Sequence, residues 1–176
     1  PHAAPSNASN GHLTYRFTVR SSDMKLLWRA LVDRGSNGSI AGGLDCRVLS
    51  VNGRKVDING IDNHTVASLD MVTAATKVKT THGYVILIIH DAAFMPEGKT
   101  LLSSGQMEFF NVIVNDKPKR VTGHTPYIQL PEGHRIPISI RKGLPYVNFM
   151  KYTDKDFTDL PHPHLASPHP WDPFVL

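Results

Sequence analysis

Cysteine is almost absent from this chain: Cys46 is the only one among 176 residues. A single thiol excludes a disulfide framework within the chain and a cysteine-rich zinc site, and Cys46 reads as a small core residue. Long apolar runs are missing as well. The longest, "YVILII" at residues 84–89, has the length of a strand and not of a membrane-crossing helix. Charge is sparse, with 19% charged residues and a net charge of +4, a mild basic bias that gives weak electrostatic pull on nucleic acid. Aromatics make up 8% of the chain, and they form no stripe with the basic residues of the kind that binds single strands. No basic stretch followed by an apolar one opens the chain, so no secretory leader is expected. The sequons at Asn7, Asn37 and Asn63 are therefore expected to stay unmodified.

What is present is β-type patterning. Residues 1–12 are small, polar and prolyl and read as a flexible arm. "LTYRFTVR" at 13–20 alternates apolar and polar residues, as a half-buried strand does. Residues 25–32 are apolar on both faces, as in a central strand. "LDCRVLSV" predicts another strand, and Asn52-Gly53-Arg54 predicts a hairpin turn after it. "KVDINGIDNHTV" predicts a further strand that ends in a mobile hairpin tip around Gly60 to Asn63. Strand-like segments follow at 69–72 and 76–80, and His82-Gly83 turns the chain into the apolar run 84–89, expected as a central strand covered on both faces and next to the strand that ends in Asp33.

One short helix is expected at "LLSSGQMEFF", where Ser103 and Gln106 have the spacing of a capping box, with Met107, Phe109 and Phe110 in the core. Short strands then alternate with turns at Asp116-Lys117-Pro118, Pro131-Glu132-Gly133 and Lys142-Gly143. Five of the 13 prolines fall after residue 160. That end should lie as an extended strap over the surface, anchored by Trp171 and Phe174. The fold class is therefore all-β, with one short helix.

The candidate chemistry centres on Asp33. An apolar strand delivers it into a turn of glycines and small polar residues, "DRGSNG". By itself this is also how an Asp caps a turn by bonding its own backbone. His162, His164 and His169 lie between prolines with no thiolate near them in sequence, so no metal and no cofactor is expected. Asp62-Asn63-His64 and the basic "KPKR" at 117–120 read as solvated turns.

"ALVDRGSNGSIAG" resembles the active-site turn of retropepsins, in which an apolar strand runs into Asp-Ser/Thr-Gly-Ala/Ser; Asp33, Gly35 and Ser36 match that pattern. "LLSSGQMEFF" resembles the segment that follows the protease region in copia-type retrotransposon polyproteins. "VDINGIDNHTV", "GLPYVNF" and "LPHPHLASPHPWDPFVL" are similar to stretches of Pol polyproteins of algal and fungal retroelements, upstream of the integrase. The resemblance runs from about residue 25 to the end.

It implies a retropepsin-like acid-protease fold at 13–115, a β extension at 116–160 and the strap at 161–176. It also implies an intracellular place, in the cytoplasm or within a retroelement particle. The activity it implies is cleavage of the element's own polyprotein by a homodimer. Each chain would supply one Asp33, with peptide as substrate and neither a membrane nor direct nucleic-acid binding involved. Gly60, Ile61, Asp62, Asn63 and His64 would form the tip of a flap over the substrate. Arg34 departs from the pattern. The family places Ser or Thr there, whose hydroxyl bonds across the dimer. An arginine at this position either depresses the neighbouring carboxylate's pKa or points away, to bind the partner chain or a C-terminal carboxylate. A protease-derived module without activity, serving dimerisation or particle assembly, is the alternative.

Overall fold

The computed structural model describes residues 28–60 and 62–175. The arm at 1–12 and the strand expected at 13–20 lie outside the described residues, as does Ile61. The fold is mostly β: a curled, mixed ten-stranded sheet with a few short helices. In chain order the strands are β1 (Arg29–Asp33), β2 (Ile40–Gly42), β3 (Arg47–Asn59), β4 (Thr65–Thr80), β5 (Gly83–Met95), β6 (Leu101–Ser103), β7 (Ile113–Asn115), β8 (Tyr127–Gln129), β9 (Arg135–Arg141) and β10 (Leu144–Asn148). Their order across the sheet is β3-β4-β5-β2-β6-β1-β10-β9-β8-β7.

The doubly apolar strand that ends in Asp33 sits near the middle of this order. β1 pairs in parallel with β6, setting Asp33 opposite Ser103, and antiparallel with β10. Ala30 and Val32 are buried, as the apolar pattern requires. Because β10 joins the edge of β1, residues 116–160 continue the sheet that carries Asp33.

The apolar run 84–89 lies within β5, and Val85 to Ile89 are all buried. Val85, Leu87 and Ile89 point into the main core with Val72, Val78, Leu102 and Met107. Ile86 and Ile88 point the other way, to a smaller cluster with Ala75, Tyr152, Phe157 and Leu160. Both faces are thus covered, but β2 and β6 separate β5 from β1, so the expected neighbour relation with the Asp33 strand does not hold.

The segments 47–59 and 65–80 form one long antiparallel hairpin. Asn52-Gly53-Arg54 does not turn the chain. It is a bulge inside β3, where the register shifts between Val51 and Lys55 and Gly53 takes a φ of 81°. A turn dipeptide in a strand yields a bulge when the strands on both sides keep their pairing, and here β4 continues past it.

Among the described residues, two α-helices beyond the one expected are present, together with a 3-10 turn at Pro173–Val175. In addition to α1 (Ser104–Phe109), the chain forms α2 (Lys119–Thr122) and α3 (Asp154–Asp159). The α3 start was readable: Thr153 and Asp156 make a reciprocal capping box. No helix among the described residues is long and apolar enough to cross a membrane.

Candidate functional site

Asp33 is the last residue of β1 and opens a tight turn. The Gly35 N–H donates to Asp33 Oδ1 at 2.7 Å. A side chain at position 35 would begin 3.2 Å from that same oxygen, so glycine leaves the carboxylate room. Ser36 closes the next step, its hydroxyl donating to the Gly38 carbonyl at 2.7 Å. Asp33, Gly35 and Ser36 thus share one turn, and the Gly35 contact is the local bond by which an Asp caps a turn.

The turn is held from behind by residues that sequence reasoning assigned to the helix start. The Ser103 hydroxyl donates to the Ser36 carbonyl at 2.6 Å, and the Ser103 N–H donates to the Ser39 hydroxyl at 3.0 Å. Ser103 also caps α1 by accepting the Gln106 N–H at 3.2 Å. Gln106 does not complete a capping box. Its side-chain oxygen accepts the Ser39 N–H at 3.0 Å, and its amide nitrogen donates to the Asp91 carbonyl at 3.2 Å. The spacing signal was real, but half of it served a tertiary contact.

Arg34 turns away from Asp33. Its Nε donates to Asp116 Oδ2 at 2.9 Å, and its Nη atoms reach both oxygens of Glu108 at 3.0 and 3.2 Å and the Val114 carbonyl at 3.1 Å. Hydrogen bonding to Glu108 is the largest influence on its pKa, opposed by partial burial and reinforced by Asp116; the net effect raises it above the ordinary arginine value. The fork geometry of guanidinium suits this double carboxylate grip, which neither lysine nor a hydroxyl reproduces. The turn is therefore tied to α1 and β7 of its own chain.

The hairpin of β3 and β4 has the exposure of a flap: nearly all of β3 is open to solvent, including Val48, Leu49 and Val51. Its tip is closed by internal bonds. Gly60 N–H donates to the His64 carbonyl at 2.8 Å, Asn63 N–H to the Gly60 carbonyl at 3.1 Å and His64 N–H to Asp62 Oδ1 at 3.1 Å. Asn63 takes a positive φ of 61°, which asparagine tolerates better than most residues.

Asp91 was not singled out from the sequence, yet it organises the base of this hairpin. It is 7% exposed and sits at a φ of 54°. Its carboxylate accepts from Asn52 Nδ2 at 2.6 Å, from the Arg54 guanidinium and from the Trp171 backbone N–H at 2.5 Å. The Trp171 indole N–H donates to the Asn37 carbonyl, in the Asp33 turn, at 2.7 Å. Trp171 is thus an anchor of the strap, whereas Phe174 is 90% exposed and anchors nothing. Phe109 is also exposed, not core; it packs edge-on against Phe110 and Trp171.

The three strap histidines do not converge. His162 contacts the Phe157 carbonyl, His164 contacts His90, and His169 bonds Ser167 through its backbone. Elsewhere, burial pushes the Cys46 thiol up to about 12, eased by its contact with Thr100 and reinforced by Asp45. Comparison with known proteins gives no match: no family model, no curated protein and no solved structure is similar to this chain.

Proposed function

We propose that the chain is the aspartic endopeptidase region of a retroelement polyprotein, with a retropepsin-like fold that acts as a homodimer and carries one Asp33 per subunit. The observation that carries this reading is the Asp33 turn. A carboxylate stands at the end of a buried central strand, closed by the Gly35 N–H and braced from behind by Ser103 and Gln106. A long exposed hairpin in the same sheet supplies the candidate flap.

One carboxylate alone does not hydrolyse a peptide. Two of them side by side cannot both ionise cheaply, so the pair shares a proton. The ionised member takes a proton from water as its oxygen attacks the peptide carbonyl carbon. The protonated member donates to the carbonyl oxygen. Proton transfer to the amide nitrogen then lets the C–N bond break. The chain's part in this is to hold Asp33 still: the Gly35 N–H bonds its carboxylate, and Ser103 and Gln106 fix the turn through Ser36 and Ser39.

The second reading, a protease-derived module without activity, is favoured by Arg34. Its side chain is committed to Glu108 and Asp116, so the turn lacks the hydroxyl with which the resembling family locks two subunits. A peptide-library cleavage assay between about pH 4 and pH 7, where a carboxylate dyad is singly protonated, separates the two. The endopeptidase reading expects cleavage by the wild-type chain and none by Asp33→Asn. Cleavage that survives in Asp33→Asn excludes the aspartic mechanism, and silence of the folded wild type selects the module.

A further inference from the structure

Residues 161–166 add to the sheet where it has an open edge. β2 covers β5 only at Ala93 to Met95. Along the uncovered part, Ile86 N–H donates to the Pro161 carbonyl at 2.9 Å, Ile88 N–H to the Pro163 carbonyl at 2.9 Å, and Leu165 N–H to the Ile88 carbonyl at 2.8 Å. Leu165, Ala166 and Trp171 are buried by this docking. Two residues past Ile88, His90 Nε2 lies 2.6 Å from His164 Nδ1, with the ring planes within 7° of parallel. Such a contact needs one ring nitrogen to donate and the other to accept, so it tolerates one proton between the two facing atoms and not two. Beyond it, Trp171 bonds both Asp91, which also holds Asn52 and Arg54 at the hairpin base, and Asn37 in the Asp33 turn.

We propose that the strap is an acid-released clamp: docked through the His90–His164 contact, it ties the base of the 47–80 hairpin to the Asp33 turn, and double protonation of the histidine pair sets it free. As regulation of peptide cleavage this rests on the reading of Asp33 above; as a property of the fold it stands apart from it. The direction follows from the surroundings. Burial, and then His164, lower the His90 pKa below its ordinary value, with Asp91 opposing. The docked state thus binds fewer protons than the released state. Docking is complete above the ordinary histidine pKa and weakens as pH falls through it. The charged groups around the pair are Asp91 beside His90, Arg54 of β3 acting through Asp91, and Glu132, which shares a cavity of about 310 Å³ with His164. Thr73 of β4 and Gln106 of α1 present neutral contacts. Asp91, already held by Arg54, favours a charged His90, but burial and His164 outweigh it. Release at acid pH would loosen the hairpin in the range where a carboxylate dyad works, which gives an endopeptidase a flap held at neutral pH and free in acid.

Amide hydrogen exchange on the full chain, corrected for intrinsic rates, tests the clamp without any need for activity. Protection at Ile86, Ile88, Leu165 and Trp171 should fall by about tenfold or more between about pH 7 and about pH 5. The Val78 and Leu87 amides, inside the β4–β5 pairing, should not change. The Arg54 amide, held to Asn52 Oδ1 in the bulge, should lose protection in the same step. His164→Asn and His90→Gln keep hydrogen-bonding side chains that do not titrate, and each should remove the pH step. Asp33→Asn should retain it, so a chain that cleaves nothing still shows the clamp. Equal protection at both pH values, a pH step that persists in both histidine variants, or release without any change at Arg54 overturns the proposal.

Discussion

At the residue scale, the question is what an arginine does beside the one carboxylate of the turn. Arg34 holds Glu108, Asp116 and Val114, and leaves Asp33 to Gly35. Arg34→Thr should therefore destabilise the chain by about 1–2 kcal/mol, the value of charge-assisted bonds discounted for a half-exposed side chain. It should not raise cleavage, because the two orphaned acids would add negative charge near the turn. Urea unfolding of the variant checks the first part; a variant as stable as wild type would mean the grip contributes nothing. Cys46 gives an independent check on burial. With its thiol pushed up to about 12, it should resist thiol reagents at about pH 8 in the native state and react on unfolding. The Asp33, Gly35 and Ser36 turn was legible because its geometry is local. The partners of Arg34 were not, since 74 and 82 residues separate it from Glu108 and Asp116.

At the scale of elements, alternation and apolar runs marked where strands lie but not how far they extend. β4 carries 16 residues without a break, where polar Thr73 divided the pattern into two segments. Thr73 sits on a face where it meets His90, so a polar residue there interrupts the apolar pattern without ending the pairing. The β5 burial predicts that Ile86→Ala and Ile88→Ala each cost on the order of 2–5 kcal/mol, since both side chains fill the small cluster against α3. Losses below roughly 0.5 kcal/mol at both sites would contradict that packing. The start of α3 predicts a pH dependence. The Thr153 N–H, and then Lys77, hold the Asp156 carboxylate down at about 2. That contribution to stability is complete above the ordinary carboxylate value and is lost as pH falls through about 2. The stability difference between wild type and Asp156→Asn should close over that interval in acid unfolding curves; a constant difference would contradict the cap.

At the scale of the whole molecule, the sheet order was not legible. The parallel pairing of β1 with β6 joins residues 70 apart in the chain, as Asp33 and Ser103 are, and no local pattern encodes such a choice. The same pairing brings Ser103 and Gln106 behind the Asp33 turn, so the topology itself builds the site. On the proposed endopeptidase reading, a single Asp turn in each chain leaves the site incomplete without a second copy and puts the two-fold axis beside Asp33. Oxidation of an Asp33→Cys chain, with Cys46→Ala to remove the native thiol, tests that half-site claim most directly, because a disulfide forms only between Cα atoms less than about 7 Å apart. The half-site reading predicts a covalent dimer at micromolar concentration, with wild-type chain sedimenting as a dimer under the same conditions. A strict monomer in sedimentation, or a dimer in which the introduced cysteines never join, would contradict it.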